Sequence, residues 1–466
     1  MNTKQLRQKI LDLAIRGKLV PQDPNDEPAS VLLERIRTEK EQLIKEGKIK
    51  REKKDNAIIC GVDKSHYEQL PQGWVWTFLG DVFNLQAGKF VQATDIVVDN
   101  AVHKFPCYGG NGLRGYVSTF NREGEYPIIG RQGALCGNLN YASGKFYATE
   151  HAVVVDCFSD TNQRWAFFFL DKLNLNQYAT ATAQPGLSVK TINEVLIPLP
   201  PIAEQCRIVA AIESTFAVID EIERSKTDLQ SAVVSAKSKV LSLAIQGKLV
   251  SQDPNDEPAS VLLERIRTER EALIKTGKIK RNKADSAVIR SDDNSYYENL
   301  PSGWVIAYLD DVADVFDYLR QPINAAERNA RIKGKLQTDL YPYFGATGQV
   351  GYIDDYIFDG DYVLLGEDGA PFLDKNTDKA YLISGKTWVN NHAHILKAKI
   401  NMKYLCYVLN SVDYKSYVNG TTRLKLTQTD MNRIVIPLPP FVEQQRIVMA
   451  IEATFEQLEQ INQSLN

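Results

Sequence analysis

QDPNDEPASVLLERIRTE, at residues 22–39, recurs without a change at residues 252–269. The similarity continues on both sides at the same offset: LAIRGKLV (13–20) matches LAIQGKLV (243–250), and LPQGW (70–74) matches LPSGW (300–304). Internal repeats decide the architecture of a chain before the chemistry of single residues does. The protein is therefore built from two copies of one helical scaffold.

A second repeated block shows how the two copies are connected. IPLPPIAEQCRIVAAIESTF (197–216) recurs as IPLPPFVEQQRIVMAIEATF (436–455). Two looser correspondences complete the pattern: 441–466 repeats 202–227, and 1–20 repeats 231–250. Laid antiparallel beside the central helix, the two termini would form one split copy of it. We therefore expect a quasi-cyclic, pseudo-two-fold molecule with two inverted lobes at opposite ends of a helical spacer.

The helices follow from the spacing of apolar residues. Between 203 and 245 these residues recur every three or four positions, which predicts one long helix with a single packing seam. At ~1.5 Å per residue this helix would be about 60 to 65 Å long. A second helix is predicted from Pro28 to Gly47 and from Pro258 to Gly277, with proline in its first turn and glycine just past its end.

Between the repeats lie two stretches that share a skeleton but not a surface. Alternating strands such as 151–158, glycine-rich turns and a helix near 165–173 predict β-rich lobes. The expected fold class is α+β, with two β-rich lobes joined by long antiparallel helices. We expect five segments: a helical segment (1–54), a first lobe (66–201), the central helix with its repeated segment (202–283), a second lobe (296–440) and a C-terminal helix (441–466).

Composition excludes several classes of protein. No apolar run approaches the roughly 20 residues that cross a bilayer, and the N-terminal stretch has no signal-peptide core. We therefore expect a cytoplasmic protein. The six cysteines show no CxxC pair or metal-ligand spacing, so free thiols are expected. The net charge of −3 is not typical of a protein that binds DNA unaided, unless its cations are local or a partner supplies phosphate contacts.

Motifs for catalysis are missing from the sequence. Gly385-Lys386-Thr387 lacks the upstream glycine of a phosphate-binding loop, and there is no amine-methylation motif, nucleotide fingerprint or HExxH sequence. His151 and His392 occupy matching places in the two lobes. We interpret them as hydrogen-bonded structural residues rather than catalytic ones, and we expect no catalytic residue, metal or bound cofactor on this chain.

Three glycine-rich loops in each lobe are suited to reading DNA. Arginine pairs with guanine, Asn or Gln with adenine, and a carboxylate can accept from cytosine. The first loop is 106–116 or 342–352, the second is 130–133 or 366–369, and the third is 183–191 or 419–427. In the first lobe the candidates are Tyr108, Asn111, Arg114, Tyr116, Arg131, Gln132, Gln184, Ser188 and Lys190. In the second lobe they are Tyr343, Thr347, Gln349, Tyr352, Glu367, Asp368, Thr422, Arg423 and Lys425.

Two basic runs allow two interpretations. KEGKIKREKK (45–54) and KTGKIKRNK (275–283) follow a helix and lead into each lobe. Solvated linkers are the favoured interpretation, and DNA-binding arms are the alternative.

These repeated motifs closely resemble those of the specificity subunit of type I restriction-modification systems, over essentially the whole chain. The resemblance rests on the paired IPLPPxxEQxRIV, LAIxGKLV, LLERIRTE and LPxGW blocks. It implies that each lobe is a target-recognition domain for one half of a bipartite, asymmetric double-stranded DNA site, with the helices fixing the spacer. It also implies two methyltransferase subunits docked on the repeated helices and two restriction subunits, which carry S-adenosylmethionine, ATP and Mg²⁺. The family's DNA-contacting loop resembles GRQG (130–133), and the second copy departs from it as GEDG (366–369).

Two rival functions remain open at this stage. The acidic composition favours a protein scaffold without DNA readout, in which the helices present two lobes to protein partners. A self-contained nuclease or methylase is the other rival, against which the missing motifs count.

Overall fold

The computed structural model describes residues 2–50, 59–60, 70–98, 104–133, 135–179, 185–276, 300–421 and 423–465. The chain forms two compact units, Met1–Ser225 and Lys226–Asn466. Each unit contains one β-rich lobe together with helices, so the predicted α+β class is confirmed. Among the described residues, no helix is both long and apolar enough to cross a membrane.

The helices have the following bounds: α1 Thr3–Ile15, α2 Ala29–Lys45, α3 Leu79–Val82, α4 Gln163–Leu173, α5 Val189–Asn193, α6 Ile202–Ile245, α7 Ala259–Lys275, α8 Leu309–Val312, α9 Ala325–Ile332, α10 Met402–Ser411, α11 Gln428–Asn432 and α12 Phe441–Ser464. The long central helix is α6, which confirms the prediction for 203–245. Pro28 and Pro258 were predicted in the first turn of their helices. Each instead lies one residue before its helix, in extended backbone.

Within each unit, one terminal helix contacts its part of α6 through matching side chains. In the first unit, Arg7 of α1 contacts Asp220 of α6 at 2.5 Å, and its guanidinium lies 4.8 Å from the ring of Phe216. The second unit repeats both contacts. Lys237 of α6 bonds Glu459 of α12 at 3.1 Å and lies 5.7 Å from the ring of Phe455. All three contacting positions correspond under the offsets of the repeat.

The first lobe contains one large and one small sheet. Its strands are β1 Ile59–Cys60, β2 Val75–Phe78, β3 Phe83–Ala87, β4 Phe105–Gly109, β5 Gly112–Val117, β6 Arg122–Gly130, β7 Leu139–Ala148, β8 Ala152–Cys157 and β9 Val195–Leu199. The large sheet has the order β3-β8-β6-β7-β4-β5, and the small one has the order β1-β9-β2. β7 is long enough to pair with β6 along one part and with β4 along another.

The second lobe has the same strand order, with its large sheet divided. Its strands are β10 Val305–Tyr308, β11 Ala313–Val315, β12 Tyr341–Gly345, β13 Gly348–Ile353, β14 Phe358–Asp359, β15 Tyr362–Gly366, β16 Ala380–Ile383, β17 Lys386–Val389, β18 Ala393–Ala398, β19 Val418–Asn419, β20 Lys425–Leu426 and β21 Val435–Leu438. The sheet orders are β11-β18-β15-β16, β13-β12-β17-β14, β10-β21 and β19-β20. β16 and β17 together correspond to β7. Gly385 between them has φ +72°, and the matching Gly144 within β7 has φ +73°.

A buried glutamate joins each lobe to its helices. Glu204, at the start of α6, accepts hydrogen bonds from Trp74 Nε1 at 2.9 Å and from Gln22 Nε2 at 3.0 Å. Arg207, one turn later, bonds both carboxylate oxygens of Asp26. These contacts explain why the QDPND, LPxGW and EQxR motifs are repeated together, since each motif supplies one part of the same network.

The same network recurs in the second unit. Glu443 accepts from Trp304 Nε1 at 3.0 Å and from Gln252 Nε2 at 3.2 Å. Arg446 contacts Asp256 at 2.6 Å. Burial raises the pKa of both Glu204 and Glu443. In the first unit, the hydrogen bond from Arg207 lowers the pKa of Asp26.

The glutamine that follows each glutamate fixes a lobe helix. Gln205 is buried, accepts from the backbone N–H of Asn162 at 2.9 Å and donates to the carbonyl of Pro200. Asn162 is the N-cap of α4, whose apolar face enters the core of the first unit. Gln444 makes the matching bonds to Asn401 and Pro439 in the second unit. The repeated glutamine thus sets the position of the lobe relative to the helix within its own unit.

Candidate nucleic-acid interface

Backbone hydrogen bonds join the second and third loops of the first lobe. Arg131 N–H donates to the carbonyl of His151 at 3.0 Å, and the carbonyl of Arg131 accepts from Leu187 N–H at 2.9 Å. Gly133 N–H donates to Pro185 at 3.1 Å. The first loop lies against them, because a Cβ added to Gly130 would be 1.9 Å from the carbonyl oxygen of Gly110. The three predicted loops therefore form one surface.

The second lobe repeats these bonds at the matching residues. Glu367 N–H donates to the carbonyl of His392 at 2.8 Å, and Leu426 N–H donates to Glu367 at 2.8 Å. Gly369 N–H donates to Leu424 at 3.3 Å. The carbonyls of His151 and His392 thus accept the same backbone hydrogen bond in the two lobes.

The two tyrosines proposed for the first loops do not occupy matching positions. Tyr108 is half-buried on β4 with its ring edge-on to Phe146, and burial raises the pKa of its hydroxyl. Tyr343 matches Cys107 instead, since both precede the bulge of their hairpin. Its side chain is 4% exposed and lies beneath the guanidinium of Arg328, 4.7 Å from the ring. Tyr343 therefore offers no surface to a base here, and we remove it from the candidate set.

The remaining first-loop candidates lie at or near the surface. Asn111 and Thr347 are exposed at the tips of the two hairpins, and Arg114 and Tyr352 are exposed on the strands that follow. Gln349 is exposed, and its amide donates to the carbonyl of Gly351 at 3.2 Å. Tyr116 is half-buried, with its backbone paired to Val97 in both directions.

The second-loop candidates of the first lobe are a cation and an amide. Gln132 is exposed, and its backbone bridges to Gly186 of the third loop. Arg131 is half-buried, and within the described residues its Nε has no hydrogen-bond partner. This loop therefore presents a guanidinium and an amide, the groups that pair with guanine and adenine.

The third loop of the first lobe ends in a helix cap. Ser188 is the N-cap of α5, and its hydroxyl accepts from Thr191 N–H at 3.1 Å. A capping hydroxyl is already engaged with the backbone, so Ser188 is first of all a structural residue. Lys190 is exposed in the first turn of α5. Gln184 and Thr422 lie outside the described residues, as do 51–54 and 277–283 of the two basic runs.

Carboxylates of the second lobe are paired with cations of its third loop. Glu367 contacts Arg320, and it also bonds Lys425 Nζ at 3.1 Å. One oxygen of Asp368 contacts His392 Nδ1 at 2.6 Å and Arg423 at 2.8 Å. The predicted residues Glu367, Asp368, Arg423 and Lys425 thus come together in one cluster.

Three residues of this cluster have the composition of a metal site. Ligand atoms of Asp317, Glu367 and His394 lie within 4.8 Å of one another. Arg320, however, contacts both carboxylates, and lies 3.3 Å from Asp317. His394 is buried between Asp317, at 2.5 Å, and the carbonyl of Leu426, at 3.0 Å. The guanidinium supplies the positive charge that a metal would bring, so these residues are better explained as an ion-pair network.

Two further surface features were missed by sequence reasoning. Phe90 is 71% exposed, and its carbonyl accepts a hydrogen bond from the hydroxyl of Tyr147. The backbone N–H of the preceding residue, Lys89, donates to the carbonyl of Ala148. The basic helix α9 packs against the first-loop strand β13 of the second lobe and carries Arg328. Its signal was present in the sequence as NAAERNARIKGK (324–335), a basic run with no counterpart in the first lobe.

Comparison with known proteins identifies the family. Residues 71–230 and 301–466 match the family model of the type I restriction modification DNA specificity domain. The chain belongs to this family. Two regions of one chain match, and each includes one complete set of the loops described above. The chain is a type I specificity subunit with two target-recognition domains, and such a subunit is not a catalytic one.

Similar proteins extend the relationship to nearly the whole chain. The type I restriction enzyme EcoEI specificity subunit of Escherichia coli is 28% identical, over 99% of this chain and 90% of the relative. The EcoAI specificity subunit of Escherichia coli is 28% identical, over 96% of this chain and 88% of the relative. A solved structure described as "Structural basis underlying complex assembly and conformational transition of the type I R-M system" supports the same fold for this specificity subunit, with a TM-score of 0.53 and 16% identity over 85% of this chain and 94% of that one.

Proposed function

We propose that each lobe reads one half of a bipartite, asymmetric site in double-stranded DNA. The first lobe (66–201) would read one half-site and the second lobe (296–440) the other. One observation carries this proposal: the second loop is held by the same backbone bonds in both lobes, yet its two central residues are Arg131 and Gln132 in one and Glu367 and Asp368 in the other. An unchanged frame with different side chains suits two different base sequences.

The repeated helices suit two copies of one partner. Val31 of α2 and Val261 of α7 are equally exposed, and matching ion pairs flank them, Arg35–Glu27 at 2.8 Å and Arg265–Glu257 at 2.6 Å. We infer that one methyltransferase subunit docks on each copy and that two restriction subunits join this core. Methyl transfer from S-adenosylmethionine and ATP- and Mg²⁺-dependent cleavage would belong to these partners, which would act with this subunit in the cytoplasm.

A lobe exchange tests the proposal. The chain is expressed with its methyltransferase partner, and methylated sites are mapped by single-molecule sequencing. Wild type should produce a split asymmetric motif that disappears when this chain is deleted. Replacing residues 75–195 with the lobe of another specificity subunit should change one half of the motif and leave the other half as it was. A change in both halves would contradict independent lobes, and the absence of any motif would favour the scaffold alternative.

The spacer provides a second test of the same proposal. We infer that α6 acts as a ruler between the half-sites, because it is one continuous helix that contributes to both units. Inserting residues near Leu229 should lengthen the unread spacer and leave both half-sites unchanged. An unchanged spacer would contradict the ruler.

A further inference from the structure

The carboxylates of the GEDG loop lie beneath cations of the neighbouring loop. The side chains of Glu367 and Asp368 are 12% and 21% exposed, whereas those of Lys425 and Arg423 are 53% and 62% exposed. A DNA strand that approaches this surface therefore meets the two cations before it meets either acid.

Backbone contacts fix this layering. Leu426 N–H bonds the carbonyl of Glu367, and Asp368 and Lys425 face each other across an isolated β-bridge. Gly369 lies directly beside the guanidinium of Arg423, since a Cβ there would be 3.4 Å from two of its nitrogen atoms. The acids and the cations are consequently held together by both main-chain and side-chain bonds.

The first lobe places its cation differently. At the positions that match Glu367 and Asp368 it carries Arg131 and Gln132, and opposite them stand Pro185 and Gly186. Where these two loops meet, the cation therefore lies on the second loop in the first lobe and on the third loop in the second lobe.

We propose that Asp368 and Glu367 are positioning residues that hold Arg423 and Lys425, respectively, ready for DNA, rather than acceptors for a base. An arginine already fixed by a carboxylate loses less side-chain freedom when it binds a base edge or a phosphate. The oxygen of Asp368 that faces the third loop is shared by His392 and Arg423. This inference rests on the proposed function, because it concerns how the second lobe reads its half-site.

A double-mutant cycle on the complex with the methyltransferase tests the inference. The variants are Asp368→Asn, Arg423→Gln and the pair, with binding to the mapped DNA site measured at several salt concentrations. We expect Arg423→Gln to weaken binding about tenfold, the usual cost of losing a good base or phosphate contact. Asp368→Asn should weaken binding by less, and the double variant should match Arg423→Gln, because the carboxylate acts only through the arginine.

A base-reading aspartate would behave differently. The losses of the two single variants would then multiply in the double variant, and Asp368→Asn would change the preferred base at one position of the second half-site. Either result would overturn the positioning role. Arg423 is exposed, so Arg423→Gln should fold normally, and its comparison with the double variant still reports whether Asp368 acts independently.

Two controls separate this inference from the proposed function. Asp314, in the same lobe, pairs with Lys399 at 2.9 Å, and Asp314→Asn should leave binding unchanged. The first half of the methylated motif should stay intact in every variant. A wild-type complex without a split motif would refute the proposed function itself, whereas an intact wild-type motif with multiplying losses would refute only the positioning role.

Discussion

Replacing Glu204 by glutamine tests the network that joins the first lobe to its helices. The carboxylate accepts one hydrogen bond on each oxygen, from Trp74 and from Gln22. A glutamine side chain has the same shape but only one acceptor oxygen, so one donor would face an amide N–H₂ group. A hydrogen bond to a charged group contributes about 1.5 to 3 kcal/mol, and removal of a buried charge offsets part of that loss. We expect Glu204→Gln to lower the free energy of unfolding by about 1 to 2 kcal/mol at pH 7.

The pH dependence of this loss has a definite sign. Burial raises the pKa of Glu204 above its ordinary value of 4.5 in the folded protein. The unfolded chain keeps the ordinary pKa, so at pH values between 4.5 and the raised pKa the protein takes up a proton when it folds. The wild type therefore gains stability as the pH falls through this range. Glutamine cannot take up this proton. The deficit of the variant should consequently grow as pH falls from 7 to 4.5.

Hydrogen exchange measured by mass spectrometry is the appropriate assay, because a chain of two units does not unfold in a single step. Protection of a peptide spanning 70–78 should fall in Glu204→Gln, and protection of one spanning 300–308 should fall in the matched variant Glu443→Gln. Glu213→Gln is the control, since its pair with Arg164 is exposed and such pairs contribute at most about 1 kcal/mol. Unchanged protection at pH 7, or a deficit that shrinks on acidification, would refute the reasoning.

Three other outcomes are expected. Asp26→Asn should destabilise the first unit above pH 4, and its difference from wild type in an acid titration should vanish as pH falls, because Arg207 lowers the pKa of Asp26 and the pair is lost on protonation. Ser188→Ala should cost about 1 kcal/mol, as for other helix caps, yet leave the methylated motif unaltered; a changed motif would restore the hydroxyl as a DNA contact. Tyr343→Phe should bind the mapped site as wild type does. Arg328→Ala, which removes a cation of α9, should bind more weakly and with a smaller salt dependence. Equal binding by the two variants would show that Arg328 of α9 does not contact DNA.

The scaffold was predictable because the chain repeats itself. Identity between 22–39 and 252–269 and the offset of the IPLPP blocks led to two copies and a split helix, without knowledge of any contact. The role of each repeated residue, in contrast, became clear only from the contacts in the structure. Trp74 and Glu204 are far apart in sequence, and no periodicity indicates that an indole N–H meets that carboxylate in the core.

The loops were only partly predictable, for two physical reasons. Matching 342–352 with 106–116 places Tyr343 at the position of Cys107, and both side chains are buried. Tyr343 was chosen by residue type, and the sequence does not say which face of its strand is buried. The pairing of Asp368 with Arg423 could not be foreseen, because it depends on a β-bridge between loops that are distant in sequence. A carboxylate in a loop looks the same in sequence whether it faces a base or an arginine.

The acidic character of the whole chain is compatible with DNA binding once its distribution is considered. Charges separated by more than about 8 to 10 Å are largely screened at physiological ionic strength, so a phosphate responds to the side chains beside it rather than to the sum over the chain. In the second lobe the acids that contribute to the net charge of −3 include Glu367 and Asp368, which lie beneath exposed Arg423 and Lys425. A carboxylate in that place lowers the net charge while it fixes a cation at the surface. An acidic isoelectric point therefore argues against unaided, non-specific attraction to DNA, and it leaves local recognition by these loops intact.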